Sequence, residues 1–443
     1  MKRNKNNFLT RIAGFAISIA ICLGTAAPVF AAEGPITGEP AEAAITKVFK
    51  MPTGTVTPEQ DFTFSFTKLG TGEYDKMNTD GAAKAAMPAL GDIIIKFDPN
   101  DTDDKPYADS GIDSENPAND TGVRTIIKEA DIFSGTEDLT WPHAGVYNYQ
   151  VKETTKGKYT SKVELICSEA VYDIAVYVKE NESGTLYVHA ISVRIKANDE
   201  SNAGANQGDK TDKLTFTNSY LQKNPTIVPP TDPENSVLTI SKMVSGDYAN
   251  KDQYFEFKIT VTRPAIIVDG TPMYKAYLVE NGAIVSPIVP SSLVGTGVMI
   301  LNDEIDRNCI LFTSGTTGTV SLKSGQSLSF FDLDVGSTFK VTETGAEGYT
   351  AGYTVTHNNN GPESEKTSGA EGASFGFPNS NDLTNKYVGQ SRNSAEFTNT
   401  YKLVTPTGVS VDDLPFIALF GIVIGAAAAY AAVKSRVRTV KPA

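Results

Sequence analysis

The sequence is poor in cysteine, in histidine and in positive charge, and each shortage excludes a class of protein. Three cysteines and three histidines occur among 443 residues. Cys167 and Cys309, the two cysteines beyond the N-terminal segment, lie in different halves of the chain, so no disulfide framework is expected. The formal net charge of −13 argues against a nucleic-acid-binding protein, which needs a basic face.

The motifs of common active sites are also missing. The histidines are scattered, so neither a metal-ligand cluster nor a Ser-His-Asp triad is expected, and no glycine-rich phosphate loop occurs. We therefore expect no metal, no cofactor and no enzymatic turnover. With 40% hydrophobic and 21% charged residues, the chain suits two or three globular domains.

Residues 1–31 are predicted to be a secretory signal peptide. Basic residues near the start precede an apolar run over 12–29, and V-F-A-A at 29–32 offers small residues for cleavage after Ala31. A retained N-terminal membrane anchor is the alternative. The signal peptide indicates a secreted protein.

The interior shows the alternation of half-buried β-strands rather than a helical period. D-F-T-F-S-F-T at 61–67 and Y-F-E-F-K-I-T at 254–260 place apolar residues on one face and mainly polar residues on the other, as antiparallel strands do. Clusters of Gly, Asn, Asp and Pro separate such runs. Further strands are predicted at 146–152, 170–178, 186–195, 338–343 and 395–401. An all-β fold of β-sandwiches with long loops is therefore expected.

The chain is an internal duplication. A proline-rich linker at 221–235 separates residues 33–220 from residues 236–402. Each half opens with a strand that carries a lysine, A-I-T-K-V-F or T-I-S-K-M-V. Each later has a strand ending in glutamate, Y-Q-V-K-E-T or T-F-K-V-T-E-T, and each closes with F-T-N-(S/T)-Y. Three signatures in the same order at similar separations indicate a repeat.

One lysine, one glutamate and one asparagine recur in these signatures. They are Lys47, Glu153 and Asn218 in the first half, and Lys242, Glu343 and Asn399 in the second. Each is in phase with the apolar residues of its strand, so we expect all six side chains to point into a core.

Burial of such a trio favours a covalent reaction. Burial lowers the pKa of a lysine and raises the pKa of a glutamate. The neutral amine is then a nucleophile, and the protonated carboxyl can polarise the asparagine carbonyl and shuttle a proton. The product is an amide between the lysine and asparagine side chains, with ammonia released. A plain hydrogen-bonded polar network is the alternative, and the occurrence of the trio in both halves favours the bond.

The motifs around the two trios resemble a known domain. I-T-K-V, V-K-E-T and F-T-N-S in the first half, with I-S-K-M, V-T-E-T and F-T-N-T in the second, resemble the pilin isopeptide-linkage domain of Gram-positive, streptococcal-type major pilins. The resemblance covers nearly all of 36–402. It implies two tandem immunoglobulin-like β-sandwiches, in which the first-strand lysine is bonded to the last-strand asparagine and the glutamate is the catalyst. Lys50 lies in the opposite phase and has no counterpart in the second half.

The C-terminal segment resembles a sortase sorting signal. V-T-P-T-G at 404–408 precedes an apolar run over 414–433, predicted to span the membrane, and a basic tail expected in the cytoplasm. The usual pattern is L-P-x-T-G, from which the chain departs at Val404 and Thr405, with the proline shifted to Pro406. The resemblance implies cleavage between Thr407 and Gly408. A simple transmembrane anchor is the alternative.

The resemblance also implies an acceptor for the Thr407 carbonyl. The acceptor is either the peptidoglycan cross-bridge or a lysine of the next subunit. In related pilins that lysine lies late in the first domain, where the candidates are Lys196, Lys210 and Lys213.

We predict a secreted structural protein of a Gram-positive cell wall, the shaft-forming subunit of a pilus. Its expected partners are sortase, other copies of itself, minor pilins and peptidoglycan, and the precursor is expected to be held at the plasma membrane by its C-terminal span. A wall-anchored adhesin that binds a host or matrix ligand is the alternative. The best candidate binding loop of such an adhesin is the acidic stretch 98–122. This stretch is either a calcium-binding loop or merely a solvated loop.

Overall fold

The chain is described by a computed structural model over ten ranges of residues. These ranges are 41–101, 122–134, 139–202, 204–223, 232–266, 270–357, 362–367, 370–378, 386–401 and 414–438. The predicted signal peptide and the V-T-P-T-G motif lie outside the described residues, as does most of the acidic stretch 98–122.

Two facing sheets form the first β-sandwich. Its strands are β1 (Ala44–Pro52), β2 (Gln60–Thr71), β3 (Ile93–Phe97), β4 (Val123–Asp131), β5 (Gly145–Glu153), β6 (Lys158–Tyr159), β7 (Val163–Ile166), β8 (Val171–Glu180), β9 (Leu186–Ala197), β10 (Lys210–Thr211) and β11 (Leu214–Gln222). One sheet has the order β4-β1-β11-β7-β6 and the other β10-β9-β8-β5-β2-β3. A short helix, α1 (Gly81–Ala86), lies between β2 and β3.

The second β-sandwich is built in the same way. Its strands are β12 (Leu238–Ser245), β13 (Phe255–Thr262), β14 (Met273–Glu280), β15 (Ala283–Ile284), β16 (Val298–Asn302), β17 (Asn308–Thr313), β18 (Thr317–Leu322), β19 (Gln326–Phe330), β20 (Thr338–Glu343), β21 (Tyr349–Thr356), β22 (Pro362–Thr367), β23 (Phe375–Phe377) and β24 (Asn393–Tyr401). The larger sheet has the order β16-β17-β14-β19-β12-β24-β21-β22, with β15 on β14, and the smaller has the order β18-β13-β20-β23.

The all-β prediction is confirmed, and each strand expected from alternation is present. The run at 61–67 lies within β2, and the run at 254–260 lies within β13 apart from its first residue. Strand β11 continues to Gln222, inside the segment expected to be linker, because it pairs with β7 as far as Val163.

The opening and closing strands of each sandwich are parallel neighbours. β1 pairs with β11, and β12 pairs with β24. All other strand pairs in the described part of the chain are antiparallel. Alternation therefore identified β24 correctly as a strand but did not reveal its parallel partner. A parallel pair needs a long crossover rather than a hairpin, and here the rest of the sandwich supplies it.

Each sandwich encloses its own apolar core. In the first, Phe49 of β1 contacts Phe62 and Phe97 edge to face, with ring centroids 5.0 and 5.1 Å apart. In the second, Phe257 of β13 meets Phe397 of β24 at 5.4 Å. These contacts join the two facing sheets, so the polar residues on the same strand faces are drawn into the core with them.

A helix, α2 (Leu414–Arg438), covers the apolar run near the C-terminus. Among the described residues, however, no helix is both long and apolar enough to cross a membrane. The segment at 414–433 is helical, and its membrane span stays a prediction.

Strand β3 offers a matched test of the first core. Ile95 is 5% exposed and its neighbour Ile94 is 53% exposed, because alternate residues face opposite sides of the sheet. We expect Ile95→Ala to lower the free energy of unfolding of the first sandwich by about 2–5 kcal/mol. Ile94→Ala should change it by less than about 1 kcal/mol. Urea unfolding of both variants measures the difference, and equal losses would contradict the assigned strand face.

Candidate functional site

Lys47 and Asn218 lie on neighbouring parallel strands of the same sheet. In the register of β1 with β11, Lys47 stands opposite Phe216 and Asn218 opposite Phe49. The asparagine is thus two residues further along than the lysine, and alternate residues of a strand share a face. Both side chains enter the core, and both residues are 0% exposed.

Glu153 reaches the same point from the facing sheet. It is the last residue of β5, where it pairs with Phe64 of β2. Its Oε2 accepts a hydrogen bond from Lys47 Nζ at 2.9 Å, and its Oε1 accepts one from Asn218 Nδ2 at 2.7 Å. A single buried carboxyl group therefore contacts both the amine and the amide.

The second sandwich repeats this arrangement. Lys242 stands opposite Phe397, and Asn399 stands two residues further along, opposite Val244. Glu343 ends β20 in the facing sheet, and its Oε1 and Oε2 accept hydrogen bonds from Lys242 Nζ at 3.1 and 2.9 Å. Asn399 Nδ2 donates to Glu343 Oε1. None of the three residues is more than 1% exposed.

Aromatic rings close the lysine pockets. Lys47 Nζ lies 4.4 Å from the ring centroid of Phe62, and Lys242 Nζ lies 4.4 Å from that of Phe255. These rings belong to the alternating strands β2 and β13, and a second phenylalanine of the same strand lies further away in each case. The rings exclude water from the amine while attracting its charged form.

Burial changes the protonation of both lysines. It lowers the pKa of Lys47 from 10.5 to about 8, although the negative charge of Glu153 acts in the opposite direction. It lowers the pKa of Lys242 to about 8 in the same way, although the negative charge of Glu343 acts in the opposite direction. Burial also raises the pKa of Glu343, against the attraction of Lys242. At pH 7 about a tenth of an amine with a pKa of 8 is neutral, compared with less than about a thousandth at the ordinary value.

The asparagine amides are oriented differently from the sequence-based expectation. That mechanism has the carboxyl donate to the amide oxygen, whereas in the structure the amide nitrogen faces the carboxyl in both sandwiches. Asn218 Oδ1 instead accepts from the main-chain N–H of Ser168 at 2.7 Å. Asn399 Oδ1 has no hydrogen-bond partner among the described residues. The carboxyl group is therefore placed beside the nitrogen that would leave.

Sequence reasoning missed the residues around Ser168. Ser168 and its hydrogen-bond partner Asp199 belong to no repeated motif, so no pattern in the sequence identified them. Cys167 lies beside the first trio, and burial raises the pKa of its thiol to about 12. A protonated thiol is a poor nucleophile, so Cys167 does not compete with the lysine.

The remaining predicted residues lie away from the trios. Lys196, Lys210 and Lys213 are exposed on or beside β9 and β10. Lys50 is half-buried, with its Nζ 4.0 Å from a carboxylate oxygen of Glu200. The five residues of the V-T-P-T-G motif, Val404 to Gly408, lie outside the described residues.

Comparisons with known proteins give a domain match and several structural likenesses. A family described as a domain of unknown function (DUF7601) matches residues 236–401, which is the second sandwich. No curated protein matches the chain. Among solved structures, the chain is similar to the major pilin of Streptococcus pyogenes, with 18% identity over 82% of this chain and 99% of that one and a TM-score of 0.28.

Two further solved structures are also similar to the chain. The major pilin T3.2 of Streptococcus pyogenes gives 18% identity, the same coverages and a TM-score of 0.29. A pilus-presented adhesin gives 17% identity over 53% of this chain and 37% of that one, with a TM-score of 0.21.

The burial of the first trio predicts an unusual order of stabilities. Glu153→Ala leaves the Lys47 amine buried without its charge partner, whereas Lys47→Met combined with Glu153→Leu removes both charges. We expect neither protein to form a lysine–asparagine bond, because one lacks the glutamate and the other lacks the lysine, so the two can be compared directly. We expect the double variant to be more stable by about 3 kcal/mol, because an unpaired buried charge costs more than an apolar pair of similar size.

Urea unfolding of the first sandwich measures this difference. Equal midpoints would contradict the burial of the pair.

Proposed function

We propose that the protein is a structural subunit that cross-links itself by two lysine–asparagine isopeptide bonds. The observation that carries the proposal is the occurrence of the same buried trio in both sandwiches at the same strand register. A polar network needs no common register, whereas bond formation requires the amine, the amide and the proton carrier at one point. The bonds would join Lys47 to Asn218 and Lys242 to Asn399.

The proposed reaction uses the carboxyl group twice. A proton passes from the Lys47 ammonium to Glu153, and the neutral amine attacks Cγ of Asn218 to form the new N–C bond. Glu153 then protonates Nδ2 as the Cγ–Nδ2 bond breaks and ammonia leaves. The carboxylate finally takes the second proton from the new amide nitrogen. Glu343 has the same role in the second sandwich, and neither carboxyl turns over further substrate.

The position of the bonds suits a load-bearing protein. Each would join the first strand of a sandwich to the last, which are the strands through which tension along the chain enters and leaves. A covalent link between them carries the load without unzipping the hydrogen bonds of the sheet. Cys167 and Cys309, the two cysteines in the described part of the chain, are both free, so no disulfide supplies this link there.

We further propose that the subunit forms the shaft of a Gram-positive pilus. The V-T-P-T-G sequence at 404–408 resembles a sortase signal, so Thr407 would be joined to a lysine of the next copy or to peptidoglycan. Lys196, Lys210 and Lys213 are candidate acceptors because all three are exposed on the first sandwich.

The cross-links can be detected by mass. We expect the denatured protein to weigh less than its sequence requires by the mass of two ammonia molecules. Glu153→Ala and Glu343→Ala should each reduce the mass deficit by one ammonia, and the double variant should abolish it, because each carboxyl serves only its own trio. Intact-mass spectrometry under denaturing conditions measures these differences.

Lys50→Ala is the matched control for this experiment. Lys50 lies three residues from Lys47 on the same strand, outside the trio, so the variant should keep both mass deficits. An unmodified mass for the wild-type chain would reduce both trios to polar networks and remove the proposal.

Polymerisation has its own test. Incubation with the sortase of the producing bacterium should give a ladder of covalent multimers on denaturing gels, and substitution of Thr407 should abolish it. Replacement of Lys196, Lys210 and Lys213 by arginine, singly and together, should identify the acceptor, since arginine keeps the charge but is not an acceptor amine. A single band with the wild-type chain would contradict the shaft role and favour a wall-anchored monomer.

A further inference from the structure

We propose that the main-chain N–H of Ser168, held in place by Asp199, stabilises the oxyanion of the first cross-linking reaction, and that the first bond therefore forms faster than the second. The inference rests on the proposed cross-linking function and deepens it. In this reaction the Ser168 N–H would be a catalytic group, because it contacts a reacting atom. Asp199 would be a positioning residue, because it acts through that N–H.

The Ser168 N–H is available because the sheet ends beside Asn218. Strand β7 pairs with β11 from Gln222 to Ser219, where Ile166 is its last paired residue. The chain then leaves the ladder, and the N–H of Ser168 points to Asn218 Oδ1 at 2.7 Å in a buried site. When the amine attacks Cγ, negative charge develops on Oδ1, which is the atom that this N–H contacts.

Asp199 holds the turn that presents this N–H. Its Oδ2 accepts from Ser168 Oγ at 2.5 Å, from the Glu169 N–H at 2.8 Å and from the Ala170 N–H at 3.0 Å. Its Oδ1 accepts from the Ser201 N–H at 2.8 Å. One carboxylate therefore fixes three successive residues of the turn, so the donor need not reorganise during the reaction.

The network is also tied to the strand that carries the asparagine. Ser201 Oγ accepts from the N–H of Thr217 on β11 at 2.9 Å. Thr217 directly precedes Asn218, so the donor and the reacting amide are held against the same strand.

In the described part of the second sandwich, no counterpart of this donor is present. Strand β21 pairs with β24 without interruption from Tyr349 to Thr356, and Ala351 stands opposite Asn399. The main chain at this point remains in the ladder instead of turning away from it. Asn399 Oδ1 is accordingly buried with no hydrogen-bond partner among the described residues.

Three other features that bear on the reaction are matched between the two sites. The strand registers are the same, both lysines have a pKa of about 8, and the nearer aromatic ring lies 4.4 Å from each amine. Loss of one oxyanion donor slows acyl transfer by about 10²- to 10³-fold in enzymes. We expect the first bond to form at least about tenfold faster than the second.

The experiment follows both bonds in one molecule. The full chain is made by a short pulse of cell-free translation, samples are quenched in acidic denaturant, and branched peptides are quantified after proteolysis. One peptide reports Lys47–Asn218 and the other Lys242–Asn399, so the second bond is an internal control. Asp199→Ala should slow the first bond at least about tenfold, leave its final yield high and leave the second bond unchanged.

Two variants separate positioning from general structural damage. Ser168→Ala keeps the main-chain N–H, so its rate of forming the first bond should stay within about threefold of the wild-type rate. Asp199→Asn keeps one acceptor oxygen and should recover part of the lost rate. In a Lys47→Met background, which cannot react, Asp199→Ala should also speed hydrogen exchange at the Ser168 amide.

Each outcome decides the inference. Equal rates for the two wild-type bonds, or an Asp199→Ala chain that forms the first bond at the wild-type rate, would overturn it while the cross-linking function stands. Slowing of both bonds together would show a general folding defect and would also overturn it. If Asp199→Ala fails to fold, two measurements still test the inference. They are the ratio of the two bond-formation rates in the wild-type chain and the rate of the first bond in Asp199→Asn. Absence of both bonds from the wild-type chain would remove the proposed function and this inference together.

Discussion

The structure depends on keeping a lysine amine out of water in the middle of each sandwich. An ammonium buried without a partner would be strongly destabilising, and Glu153 and Glu343 offset that cost from the facing sheet. The same burial lowers the pKa of each lysine to about 8. Burial thus favours the neutral, reactive form of the amine, while the glutamate that makes this burial tolerable opposes the shift in pKa.

The fold brings the three groups together through one topological feature. Because the closing strand lies parallel to the opening strand, two residues far apart in the chain become neighbours on one face of one sheet. The glutamate then comes from the facing sheet, at the end of a strand, where its side chain can lie between them. A hairpin could not provide this geometry, since it joins strands that are close in sequence. The pairing that closes the sandwich is thus also the pairing that assembles the site.

Much of the fold and of the site could be predicted because their signals are periodic or repeated. Alternation identified strands such as β2 and β13, and duplication identified the positions of Lys47 and Lys242. Alternation assigns a residue to a face but not a strand to a partner, so the parallel pairs were not predicted. Ser168 and Asp199 act through main-chain hydrogen bonds in a turn, which leave no periodic or repeated trace. The orientation of the two asparagine amides depends on their hydrogen bonds to the glutamates, which alternation and repetition do not reveal, so it could not be predicted either.

The central claim is that a covalent bond forms within each trio, and a high-resolution crystal structure of the purified protein tests it most directly. The account predicts continuous electron density from Lys47 Nζ to Asn218 Cγ and from Lys242 Nζ to Asn399 Cγ, at an amide bond length of about 1.33 Å, with no density for Nδ2. Separate side chains at van der Waals distance, with intact carboxamides hydrogen-bonded to Glu153 and Glu343, would contradict it.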